Sequence, residues 1–156
     1  MPLKQPQPGA SYVPAYQTSA IPYVTSSATI SDVPAPGASS NPIHIMFPYV
    51  TKNLTIRNTG ANDLRVAFSF SGSYAPGEAH GGGTKSSHQH RNYFLIPTGS
   101  AAANAEATQT FDVRCKEVFL LGDGGTTGFS LVAGLTTINA SNFPILSASN
   151  GWKGVG

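Results

Sequence analysis

Residues 64–70 read Leu64-Arg65-Val66-Ala67-Phe68-Ser69-Phe70. Large apolar side chains occupy every second position, with small or polar ones between them. Side chains of an extended chain alternate between two faces, so this is the pattern of a strand with one buried face. Leu64, Val66, Phe68 and Phe70 are expected in the core, and Arg65, Ala67 and Ser69 on the outer face. Just upstream, residues 50–58 repeat the alternation, with Leu54 and Ile56 inward and Thr55 and Arg57 outward. Asn58-Thr59-Gly60-Ala61-Asn62-Asp63 between them has turn composition. The two runs are expected to pair as a hairpin.

Working outward, the same reading finds further short strands. Ile43-His44-Ile45-Met46-Phe47 is one, and Tyr93-Phe94-Leu95-Ile96 is another. Residues 108–115 alternate with Phe111, Val113 and Cys115 inward. Residues 117–121, around Leu120, are continuous and read as buried on both faces. Phe129, Leu131, Ala133 and Leu135 share one face of the next run. A final strand is expected within 138–146, interrupted by Pro144. Helical periodicity is nowhere sustained for three turns, and the alanine-rich run 101–107 is too short to hold a helix alone. About eight short strands separated by turns predict an all-β fold, a two-sheet sandwich of the jelly-roll or immunoglobulin-like kind. The Cys…Trp…Cys arrangement that an immunoglobulin domain would prefer is absent, and a single eight-stranded antiparallel jelly-roll sandwich is expected.

The chain has 156 residues, the size of one domain. Charged residues make up 10% of it, against about 25% in ordinary soluble domains. Eight of the twelve prolines fall within residues 1–42. Proline disfavours regular structure, so 1–42 is expected as an extended arm, with a short strand at 23–25 or 28–30. The jelly roll then spans 43–156. Tyr12, Tyr16 and Tyr23 imply that the arm lies on its own domain or on a neighbour. The formal net charge of +2 comes from scattered residues and argues against nucleic-acid binding. No apolar run approaches the length of a membrane span. MPLKQPQPGA has no apolar segment, so no secretory leader is expected. A single cysteine, Cys115, permits no internal disulfide and is expected to be a buried, inert thiol.

Catalytic machinery is hard to find. His88 and His90 stand two apart in the polar stretch 71–91, with His80 upstream, so an extended segment points both the same way. Gly82 followed by His88 and His90 matches the first half of the metal-binding motif of cupins, which are also jelly rolls. The glutamate that the motif needs next falls on Phe94 or Leu95, and no histidine follows His90. An exposed polar loop is the favoured reading, with no metal and no cofactor. The glycine-rich run 122–128 lacks the lysine and helix of a phosphate loop. No nucleophile elbow or Ser-His-Asp spacing is present. No catalytic residue is assigned, and the chain is expected not to be an enzyme.

Phe47-Pro48-Tyr49-Val50-Thr51-Lys52-Asn53-Leu54-Thr55-Ile56, then Asn58-Thr59-Gly60 and Leu64-Arg65-Val66-Ala67-Phe68, resemble the penton proteins of large icosahedral double-stranded DNA viruses. Tyr93-Phe94-Leu95-Ile96-Pro97 and Val118-Phe119-Leu120-Leu121 fit the same strand pattern, and the resemblance covers residues 43–146. It implies a structural protein of the virion, assembled in the host cytoplasm. Five copies form a homopentamer at each vertex and contact the major capsid protein and minor cement proteins. The stretch 71–91 becomes a candidate for the exterior tip or for fibre attachment. Two alternatives remain: a β-sandwich fibre head or carbohydrate-binding module, for which Trp152 is the only tryptophan available, and a cupin-like metalloenzyme.

Overall fold

The computed structural model describes residues 9–32, 41–80, 84–85, 90–98 and 105–156. Its strands are β1 (Ile21–Ile30), β2 (Ile43–Met46), β3 (Tyr49–Asn58), β4 (Asp63–Ala67), β5 (Ala79–His80), β6 (Thr84–Lys85), β7 (Tyr93–Ile96), β8 (Thr108–Phe111), β9 (Glu117–Asp123) and β10 (Thr127–Asn139). β5 and β6 pair only with each other. The other eight form two four-stranded sheets, in the orders β1-β10-β3-β8 and β2-β9-β4-β7.

Setting the β5–β6 hairpin aside, the first strand pairs with the last, the second with the last but one, and so inward to β4 with β7. This is one long antiparallel hairpin folded back on itself. Rolling it up brings β3 beside β10 and β4 beside β9, again antiparallel, and completes both sheets. That arrangement is the jelly roll, with β1, β8, β2 and β7 at the sheet edges. The inner faces meet in one core that includes Leu54, Ile56, Leu64, Val66, Leu120, Phe129 and Leu131, all buried. Phe68, Phe111 and Val113 are half-buried and pack against it.

Four expectations change. The predicted hairpin between residues 50–58 and 64–70 does not form, because β3 and β4 lie in opposite sheets. Their turn is a corner that carries the chain across the sandwich, and the buried side chain of Asn58 holds it. The Asn58 amide donates to the carbonyls of Asn62 (2.8 Å) and Pro97 (3.0 Å), and its oxygen accepts from Gly60 N–H (3.0 Å). Gly60 comes so close to Thr127 that a Cβ would sit 2.2 Å from the threonine hydroxyl oxygen.

Second, β4 stops at Ala67, and Phe70 takes helical φ and ψ at the start of a single 3-10 turn, Ser71–Ser73. Phe70 therefore leaves the inward register and is exposed, not core. Third, no separate final strand occupies 138–146. β10 runs through to Asn139, and a 3-10 turn follows at Ala140–Asn142.

Fourth, the sheet reaches back across residue 42, where the sequence reading began the domain. β1 pairs with β10 from Ile21 to Ile30 with one irregularity, far longer than the expected short strand. Pro22 is tolerated because β1 is an edge strand, where a missing N–H costs no ladder bond on the open side. Ahead of it lies a five-residue helix, α1 (Val13–Gln17), which no periodicity announced. Its Ala15 packs in a small cluster with Val50, Ile138 and Phe143.

The register makes a sharp test. Leu131 is 1% exposed in the centre of β10, while its neighbour Val132 is 44% exposed on the opposite face. Leu131→Ala is expected to cost about 2–5 kcal/mol in urea unfolding. Val132→Thr is expected to stay within about 0.5 kcal/mol of the parent.

Candidate functional site

Three surface features stand out, and the first corrects the sequence reading again. Arg65 occupies an outward position of β4 yet is 3% exposed. The chain after β4 folds back over this face and buries Ser73, Tyr74 and Ala75. The guanidinium donates to both oxygens of Glu78 (2.6 and 3.0 Å) and to Asp123 Oδ1 (2.6 Å). It also donates to the Ser73 carbonyl at 3.3 Å and lies 4.4 Å from the centre of the Tyr93 ring. A buried cation is tolerated only when paired in this way. Arg65 thus pins the start of the stretch 71–91, which is not the wholly exposed loop its composition implied.

Burial alone would raise the Glu78 pKa. Hydrogen bonds from Arg65 and from Ala75 N–H, with the charge of Arg65, outweigh that and hold it below its ordinary 4.5. Burial and the nearby Glu78 charge push the Tyr74 phenol up, so it stays protonated. Beside this clamp, His44 Nε2 lies 2.7 Å from Glu117 Oε2, and its ring stacks on Phe119 at 4.3 Å.

The second feature is the outer face of the sheet β1-β10-β3-β8. The register sets Val24, Val132, Thr55 and Thr110 in one row across all four strands. The next row reads Ser26, Ser130, Arg57 and Thr108. Arg57 is the single charge in these two rows. Val24 is 67% exposed, an unusual position for a valine in the middle of a strand.

The third feature is a groove of about 500 Å³ where Ala10 and Ser11 approach the C-terminal segment around Trp152 and Val155. Phe68, Val113, Phe143, Leu146 and Trp152 line it, and Arg114 is its one charged wall residue. The C-terminal segment is held there by the Ser69 hydroxyl, which donates to the Val155 carbonyl. Gly72 lies against the same carbonyl, where a Cβ would sit 2.1 Å from its oxygen. These residues are far apart in sequence, and no local pattern brings them together.

His80 is in β5, His90 is exposed, and His88 lies outside the described residues. No group of three metal-ligating side chains occurs among the described residues. Cys115 is buried as expected, and burial pushes its thiol up to about 11. Its Sγ lies 3.3 Å from the Thr51 hydroxyl. Compared with known proteins, the chain matches no family model and no curated protein.

Two outcomes follow from these surroundings. Glu78 titrates lower in the folded chain than in the unfolded one. Its contribution to stability is therefore complete above the ordinary carboxylate range and is lost as pH falls through the folded pKa. Glu78→Gln should cost about 1–3 kcal/mol at neutral pH. Urea unfolding of parent and variant should converge as the pH is lowered below 4.5. The Cys115 thiol should resist a disulfide reagent at pH 8 in the native protein and react at once in denaturant.

Proposed function

We propose that this chain is a structural subunit of an icosahedral viral capsid, the penton protein at the five-fold vertices. The observation that carries the reading is the rolled pairing of its strands, first with last and inward to β4 with β7. It is the architecture that the resemblance implies. The residues that carry the resemblance, 47–68, build β3, the Asn58 corner and β4. A jelly roll alone hosts many functions, so the surface matters as well.

The outer rows of Val24, Val132, Thr55 and Thr110 support an assembly role. They present a face nearly free of charge, and a face that excludes charged side chains is cheap to desolvate against a neighbour. Each copy then meets the next head to tail, and the ring closes after five copies when each step turns one fifth of a circle. The stretch 71–91, whose start Arg65 holds through Ser73 and Glu78, serves as the tip that other virion components contact. The segment before β1 reaches the surrounding major and minor capsid proteins. Among the described residues no helix is long and apolar enough to cross a membrane.

Sedimentation of the purified chain, with metal analysis on the same sample, tests this. A metal-free species of five copies, or a monomer that joins capsid particles at their vertices, is the expected result. A stable dimer loaded with metal would contradict it and turn attention to His88 and His90.

A further inference from the structure

The groove beside Trp152 is concave, apolar and of a size that suits a small ligand, since such sites enclose about 300–1,000 Å³. Protein partners prefer broader, flatter surfaces. Its walls hold aromatic rings from three separate parts of the chain: Phe68, Phe143 and Trp152. Trp152 is 45% exposed, so an occupant would remove a large ring from water.

The charge of the groove is one-sided. Arg114 is exposed on the wall, and among the described residues its guanidinium makes only a long hydrogen bond, 3.5 Å, to the Ala10 carbonyl. It also sits 5.4 Å from the centre of the Tyr16 ring. Among the described residues no carboxylate forms an ion pair with it. Nearby Lys116 is already engaged, donating to the Phe143 carbonyl at 2.9 Å. A planar guanidinium presents a fork of donors that matches one carboxylate.

We infer that this groove binds an amphiphilic monocarboxylate, with its apolar body against Phe68, Leu146 and Trp152 and its carboxylate on Arg114. The apolar body supplies affinity, because each methylene taken out of water strengthens binding about fourfold. The arginine sets the orientation and selects the charged head. The inference is independent of the capsid proposal, since it rests on the groove alone.

Trp152 is the only tryptophan in the chain, so its fluorescence reports on the groove directly. The full-length protein is titrated with laurate below its micelle-forming concentration, and in parallel with dodecanol. Laurate should give a saturable blue shift and bind about tenfold tighter than the alcohol. R114Q, an exposed substitution whose circular dichroism is first required to match the parent's, should weaken laurate about tenfold and leave dodecanol unchanged. Any of four results overturns the inference. One is the absence of a saturable shift. Another is equal binding of acid and alcohol. A third is binding that appears only after residues 2–8 are deleted, which would make the chain's own arm the occupant. The last is a shift that follows self-association in sedimentation, which would make a second copy the occupant.

Discussion

β10 is hydrogen-bonded along both of its edges, to β1 on one side and to β3 on the other. Everything else in the sandwich depends on that double pairing. Phe129, Leu131, Ala133 and Leu135 point from β10 into the core, while Val132 stands on the opposite face. The partners of its residues come from much earlier in the chain, Ile21 facing Leu135 and Leu54 facing Ala133. Such pairings are non-local, so loop-closure entropy must be overcome before they stabilise anything. No single hairpin of this fold can stand by itself, and the roll forms as a whole.

Buried polar groups then fix the places where strands cannot. Asn58 closes the corner between the two sheets, and Arg65 ties the segment beyond β4 onto a sheet face. Each makes several hydrogen bonds, Asn58 through its amide and Arg65 through both terminal nitrogens of its guanidinium, which lowers the penalty of burying such groups. Both join residues distant in sequence: Asn58 reaches Pro97, and Arg65 reaches Asp123. These two contacts shape the ends and one face of the sandwich, and so decide which surfaces remain open for partners. Such open surfaces include the sheet face on which the proposed pentamer packs, charged only at Arg57 in its two outer rows, and the groove beside Trp152.

Alternation is enough to recover β3, β4, β8 and β10 and most of the core, because burial on one face of a sheet leaves a period-two trace in the chain. Leu54, Ile56, Leu64 and Val66 were legible for that reason. Pairing was less legible. Asn58 to Asp63 has the composition of a reversal, and composition does not say whether the reversal stays within a sheet or crosses between sheets. β1 was obscured by Pro22, since a proline on an edge strand reads like a proline in a linker. Arg65 was placed outside because it alternates with core residues, and only the later chain that covers it makes it buried. Phe70 kept the alternation after the strand itself had ended. The groove left no trace at all, for its walls come from segments that share no period.

β1 is a true strand of the sheet that closes the roll against β10, and not part of a loose arm. Residue-resolved amide hydrogen exchange tests this most directly. The β10-facing amides of β1 should exchange as slowly as those of β3, because both strands bond to the same central neighbour. Protection of β3 and β10 with β1 exchanging at the rate of an unfolded chain would contradict it.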